Sequence, residues 1–248
     1  MDWVPRWLGK AYCGLYVTFG KSTFSLEDAL TCLHTTRERG RVVLSELTKR
    51  EFLTRVGRAH YSPKSPVAVV LGVASNLGRI SLKQKAYEPL LREVLTKLFE
   101  RFEENLVSVV LYGSIARGTA KPTSDMDLLV VVRGLPASFY DRSIIIGNIL
   151  RELHEPKIRL WKESGEFTNI DILPLAPDEA EVLRPLYLDF LFDATILYDQ
   201  GGFMSRILEK LRKRVGELGA RRITMPSGKW YWTLTETSGK RIEREIEL

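Results

Sequence analysis

The chain has 248 residues, 44% of them hydrophobic, which suffices for a packed core. Its longest clean apolar run, Val67 to Ala74, is far below the roughly 20 residues of a membrane-spanning helix, and the N-terminus (Trp3, Pro5, Arg6, Trp7) lacks the apolar stretch of a secretory signal, so a cytoplasmic protein without membrane contact is expected. Only Cys13 and Cys32 are present, which excludes a disulfide framework and leaves packing roles, while the net charge of +6 divides into +5 over residues 1–65, −4 over 66–200 and +5 over 201–248. Basic ends suit a polyanion such as DNA or RNA, and an acidic centre suits a metal-binding core.

Aromatic and aliphatic residues at near-helical spacing predict a first helix from Trp3 to Phe19, stopped by Gly20. Ser25 ahead of Leu26, Glu27 and Asp28 is an N-cap with acidic residues in the first turn, and predicts a second helix to about Leu33. The stretch from Thr36 to Arg50 sets Val43, Leu44 and Leu47 on one face and Arg37, Arg39 and Arg41 on the other. Glu51 to Val56 reads as a strand, Gly57 and Arg58 as a tight turn, and Ala59 to Ser62 as a return strand before Pro63.

Three helices followed by a basic hairpin within residues 1–65, with the pattern LSELTKREFLTRVGRAHYSP, resemble archaeal-type winged helix-turn-helix domains. The resemblance implies that the third helix enters a DNA major groove, with Arg37, Arg39 and Arg41 near its start and Arg58 on the wing. The alternative stays open that this helix packs on a neighbouring domain or a second subunit, its arginines being a solvated face. A homodimer through this domain is allowed but not required.

Pro63 and Pro66 mark a boundary, and residues 66–80 read as a linker or short helix. From Ser81 the positions Tyr87, Leu90, Leu91, Val94, Leu95, Leu98, Phe99 and Phe102 predict a long amphipathic helix that opens a second domain, 81–200. Strands are expected at Leu106–Tyr112 and Met126–Arg133, a helix from about Phe139 to His154, and strands at Lys157–Trp161 and Asn169–Leu175. A helix over Asp178–Phe192, a strand at Ala194–Tyr198 and a charged helix over Met204–Leu218 follow. A hairpin over Ile223–Thr235, turning at Pro226, Ser227 and Gly228, makes residues 201–248 a helix-plus-hairpin extension, and Ser238 to Leu248 are expected to fray. The fold class is α+β: a mixed, mostly antiparallel sheet backed by helices, preceded by the small winged-helix domain.

Residues Leu111 to Val132, LYGSIARGTAKPTSDMDLLVVV, carry the chemistry. Asp125 and Asp127 at i and i+2 on a strand share a face and call for a cation. The Gly113–Ser114 turn, where a strand gives way to a short helix, presents backbone N–H groups suited to phosphate oxygens. GSIARG followed by SDMDLLV, with Asp125 eleven residues after Ser114, resembles the signature of the DNA polymerase beta nucleotidyltransferase superfamily, in its minimal and kanamycin-type branches.

That superfamily requires a third carboxylate on a later strand, and Asp171 in NIDILPL is the candidate, with an Asp on the solvent face of an edge strand as the other reading. The resemblance implies that Asp125, Asp127 and Asp171 hold Mg²⁺, or Mn²⁺, and that Asp171 helps to deprotonate the attacking hydroxyl. It also implies that Ser114 and the N–H groups after Gly113 cradle the terminal phosphates of an NTP, expected to be ATP, while Arg117 neutralises them and Ser124 either shapes the turn before Asp125 or touches phosphate as a further nucleotide-binding residue. Asp189 and Asp193 read as surface carboxylates. GKWYW, Gly228 to Trp232, either packs a sheet or stacks a base.

The expected activity is metal-dependent transfer of AMP to a hydroxyl with release of pyrophosphate. The acceptor stays open between a nucleic-acid end, a protein such as a HEPN-type toxin and, less favoured, a small molecule such as an antibiotic. The alternative is a winged-helix DNA-binding regulator whose nucleotidyltransferase domain senses nucleotide or is inactive.

Overall fold

The computed structural model describes residues 4–73, 82–225 and 230–233, with the side chains of 71–73 left aside. The chain divides into two compact units, residues 1–79 and 80–248.

The first unit contains α1 (Arg6–Phe19), β1 (Phe24–Ser25), α2 (Leu26–Leu33), α3 (Arg37–Lys49), β2 (Leu53–Gly57), β3 (His60–Pro63) and α4 (Pro66–Val73). Ser25 caps α2 as its sequence suggests: its hydroxyl accepts from the Asp28 N–H, and the Asp28 carboxylate returns the bond to the Ser25 N–H. The strands form a three-stranded antiparallel sheet in the order β1-β3-β2, turning at Arg58 and Ala59. Leu8, Tyr12, Leu15, Phe24, Leu44 and Leu47 close its core, onto which Val69 of α4 also packs. Cys32 lies against this core, whereas Cys13 is exposed, contrary to the packing role expected of it.

The second unit begins with α5 (Glu88–Phe102), whose Leu90, Leu91, Val94, Leu95, Leu98 and Phe102 are all buried, as the helical spacing predicts. Then come β4 (Leu106–Tyr112), α6 (Gly113–Arg117), β5 (Met126–Val132), α7 (Phe139–Glu152), α8 (His154–Ser164) and β6 (Ile170–Leu175). The unit continues with α9 (Pro177–Glu181), α10 (Pro185–Asp193), β7 (Thr195–Asp199), α11 (Phe203–Glu217), β8 (Arg221–Thr224) and β9 (Trp230–Thr233). Four strands make a mixed sheet in the order β6-β5-β4-β7, parallel only between β5 and β6. β4 and β5 are central and buried on both faces, which is why they read as near-continuous apolar runs. Helices α5 and α7 contact one side of the sheet, while residues of α10 and α11, led by Tyr187, Phe190, Ile207, Leu208 and Leu211, form the core with Val107, Leu129 and Val131.

Two predicted elements are corrected. Lys157–Trp161 is not a strand but lies in α8. The alternation of Ile158 and Leu160 suggests a strand, yet Leu160 is buried one helical turn beyond half-buried Pro156 and Lys157. Pro156 occupies the first turn, where its missing N–H costs nothing, and Gly165 ends the helix in the left-handed conformation. The single helix expected over Asp178–Phe192 is two helices, because Pro185 forces Arg184 into extended backbone (φ −118°, ψ 147°) and then starts α10. The turn of the C-terminal hairpin and the segment Ser238 to Leu248 lie outside the described residues. Among the described residues no helix is long and apolar enough to cross a membrane.

Candidate active site

β4 delivers the chain to Gly113, whose φ of +73° favours glycine. A Cβ there would also collide with a carboxylate oxygen of Asp127, so glycine is required twice over. One turn of helix, α6, follows, and Gly118 closes it with φ +74° and a backbone N–H bond to the Ile115 carbonyl at 3.1 Å. Gly113, Ser114 and Arg117 are half-buried on this turn.

The loop from Gly118 to Asp125 is tied at several points. Gln84 exchanges two 2.9 Å hydrogen bonds with the backbone of Ala120. Tyr87 donates to the Lys121 carbonyl and to Glu166. The Ser124 hydroxyl accepts from the Lys121 N–H at 2.9 Å, and Thr168 donates to the Ser124 carbonyl at 2.6 Å. Ser124 therefore shapes the turn, as its sequence position suggests. Gln84, Tyr87, Glu166 and Thr168 carry no motif, and nothing in the linear sequence connects them to this loop.

Across the sheet, Tyr112, Asp127 and Asp171 form one row: Tyr112 pairs with Asp127 and Asp127 with Asp171. Asp125 stands just before β5, and both it and Asp171 are exposed, with Asp127 half-buried. Asp171 is thus placed on the solvent face of an edge strand, the alternative that its sequence left open. β6 is an edge strand and Asp171 lies on its exposed side; its neighbours Ile170 and Ile172 point the other way and are buried. What links Asp171 to the site is its register beside Asp127.

Burial raises the Asp127 carboxyl above the ordinary aspartate range, the charges of Asp171 and Asp125 raise it further, and Arg117 opposes them. Burial and the charges of Asp127 and Asp171 push the Tyr112 phenol up to about 12, so it stays neutral. The row thus stores uncompensated negative charge at the mouth of a turn that offers N–H groups. Among the described residues no three acidic, His or Cys side chains converge into a ready-made metal cage. A divalent cation such as Mg²⁺ needs only one or two protein carboxylates when phosphates and water supply the rest, so the donor set fits one.

Asp189 and Asp193 are not idle surface carboxylates. Asp189 accepts from the Trp230 indole N–H at 2.8 Å, and Asp193 pairs with Arg222 at 2.8 Å. In the first unit Arg39, Arg41 and Arg58 are exposed, while Arg37 is engaged by Glu27 at 3.2 Å. At 100° per residue Arg37 and Arg41 fall on one flank of α3 and Arg39 on the other, rather than all on one face.

A family model described as nucleotidyltransferase domain matches residues 91–198. The chain is 30% identical over 133 residues to a Methanocaldococcus jannaschii protein named as a candidate protein adenylyltransferase, covering 53% of this chain and 84% of the relative. It is 22% identical over 132 residues to an aminoglycoside nucleotidyltransferase (4′) of Staphylococcus aureus, of which it spans only 47%. A solved toxin–antitoxin structure with AMP-PNP overlaps 51% of this chain and 90% of its own at 13% identity and a TM-score of 0.32, a likeness too loose to speak to function.

Proposed function

The chain belongs to the nucleotidyltransferase domain family and is an enzyme of nucleoside monophosphate transfer, and from that premise we propose that it moves AMP from ATP, with Mg²⁺, to a hydroxyl acceptor and releases pyrophosphate. The observation that carries the reading is the acidic row Tyr112–Asp127–Asp171 set beside the Gly113–Ser114 turn.

Asp125 and Asp127 would hold the cation, which when bound would neutralise charge on the triphosphate. Ser114 and the N–H groups that follow Gly113 hold the terminal phosphates, and the Arg117 guanidinium adds charge-assisted hydrogen bonds. Ser124 keeps Asp125 at the start of its strand. Asp171, exposed and therefore reachable by an incoming acceptor, takes the proton of the attacking hydroxyl. Tyr112, held neutral by its buried position and by the neighbouring carboxylates, adds no further negative charge to the row.

A protein hydroxyl is the acceptor we favour, supported by the candidate protein adenylyltransferase that matches more than half of this chain. A HEPN-type toxin is one such acceptor. The first unit is proposed to be a winged-helix domain spanning residues 1–65, supported by its order α1-β1-α2-α3-β2-β3 and by exposed Arg39, Arg41 and Arg58. Those arginines favour DNA as a partner, with Arg37 a weaker contact because Glu27 already engages it. This surface also supports a second reading, a DNA-binding regulator whose catalytic domain senses nucleotide.

The test is incubation with α-labelled ATP, Mg²⁺ and protein, RNA and aminoglycoside acceptors. Label transfer with pyrophosphate release, lost in Asp127→Asn, is expected. ATP binding without release by any acceptor would favour the regulator instead.

A further inference from the structure

The structure points to Trp230 as a positioning residue for Arg117, and hence to the C-terminal hairpin as the part of the fold that sets the donor-phosphate grip; this rests on the nucleotidyl-transfer reading. Arg117 closes the helical turn α6, and its guanidinium lies over the Trp230 ring, 5.0 Å from the centroid. Among the described residues the Arg117 guanidinium has no side-chain hydrogen bond or ion pair. A cation held by the face of an aromatic ring keeps its N–H edge unspent, and that edge is what a phosphate binds. Trp230 therefore fixes Arg117 without consuming the donors that the triphosphate needs.

The ring is itself fixed. Its indole N–H donates to Asp189 on α10, and Arg222 on β8 lies over it at 4.1 Å. Arg222 is anchored by Asp193 at 2.8 Å, where both side chains are largely buried, and reaches the Phe192 ring at 5.3 Å. Two guanidinium groups already engage the indole, which argues against its serving as a platform for a base. The two carboxylates Asp189 and Asp193 offset the charge that the paired arginines bring together.

The experiment is steady-state kinetics of the full chain with MgATP for Trp230→Phe, Trp230→Leu, Arg117→Ala and the double variant Arg117→Ala with Trp230→Leu. Leu keeps apolar bulk without a π face, whereas Phe keeps a smaller π face and loses the indole N–H bond to Asp189. Trp230→Leu should raise KM for MgATP about 5- to 10-fold with a smaller change in kcat, and Phe should restore most of the loss. The double variant should be no worse than Arg117→Ala. Equal defects in Phe and Leu, or additive effects in the double variant, would overturn the proposal. If the wild type releases no pyrophosphate, the nucleotidyl-transfer reading fails separately, and calorimetric MgATP binding by the same variants decides the positioning role by the same pattern. A wild type that neither turns over nor binds MgATP overturns both.

Discussion

Gly113 and Asp127 occupy adjoining space, and that contact makes the glycine a chemical rather than only a conformational requirement. Gly113→Ala forces an L-residue into left-handed backbone and displaces the Asp127 carboxylate. A shift of that kind at a reacting centre costs about 10²-fold in kcat, so Gly113→Ala should lose activity on that scale while circular dichroism stays native. Asp171 tests the row from the other side. In its proposed role as proton acceptor it would be worth about 10²–10⁴ in kcat, yet as a like charge beside Asp127 it destabilises the fold. Asp171→Asn should therefore lower turnover by that factor and leave stability unchanged or higher by on the order of 0.5 kcal/mol, so that the melting temperature does not fall. A melting temperature that falls would mean Asp171 is structural.

At the scale of elements, Asp199 joins three of them. It ends β7, accepts from buried Ser108 on β4 at 2.6 Å, and caps α11 through the N–H groups of Met204 and Ser205 and the Ser205 hydroxyl. Burial pushes its carboxyl up, but these hydrogen bonds outweigh burial and hold it below the usual carboxylate range. A depressed value in the folded state means that the stabilisation is present above the unfolded value of about 3.9 and is lost as pH falls through the folded one. Asp199→Ala should cost about 2 kcal/mol at pH 7, some 4–8 °C in melting temperature. That gap from wild type should close as melts are repeated from about pH 4 downward; a gap that persists unchanged at pH 2 would assign the loss to packing. The corrected elements belong to the same scale. α8 and the α9–α10 break were decided by prolines whose effect depends on position, harmless in the first turn at Pro156 and disruptive at Pro185.

The whole molecule consists of two units with separate cores, so binding and catalysis should be separable. Fragment 80–248 should retain pyrophosphate release. In the full chain, Arg39, Arg41 and Arg58 each replaced by Ala should weaken DNA binding and flatten its dependence on salt by about 0.9 in log–log slope per lost phosphate contact. Unchanged affinity and slope would remove DNA from the partners of α3.

The local sequence determined much of this protein by itself: the Ser25 cap, the buried face of α5, the two apolar central strands, and the GSIARG and SDMDLLV segments that place phosphate and cation chemistry together. Those signals are short-range, because capping, periodicity and turn chemistry act within a few residues. Only the tertiary structure decided that Asp171 is exposed yet in register with Asp127, that Gln84, Tyr87, Glu166 and Thr168 hold the loop from Gly118 to Asp125, and that Trp230 lies against Arg117. Each of those depends on which strands pair and in what register, a choice made by the burial of whole faces and invisible in any one segment.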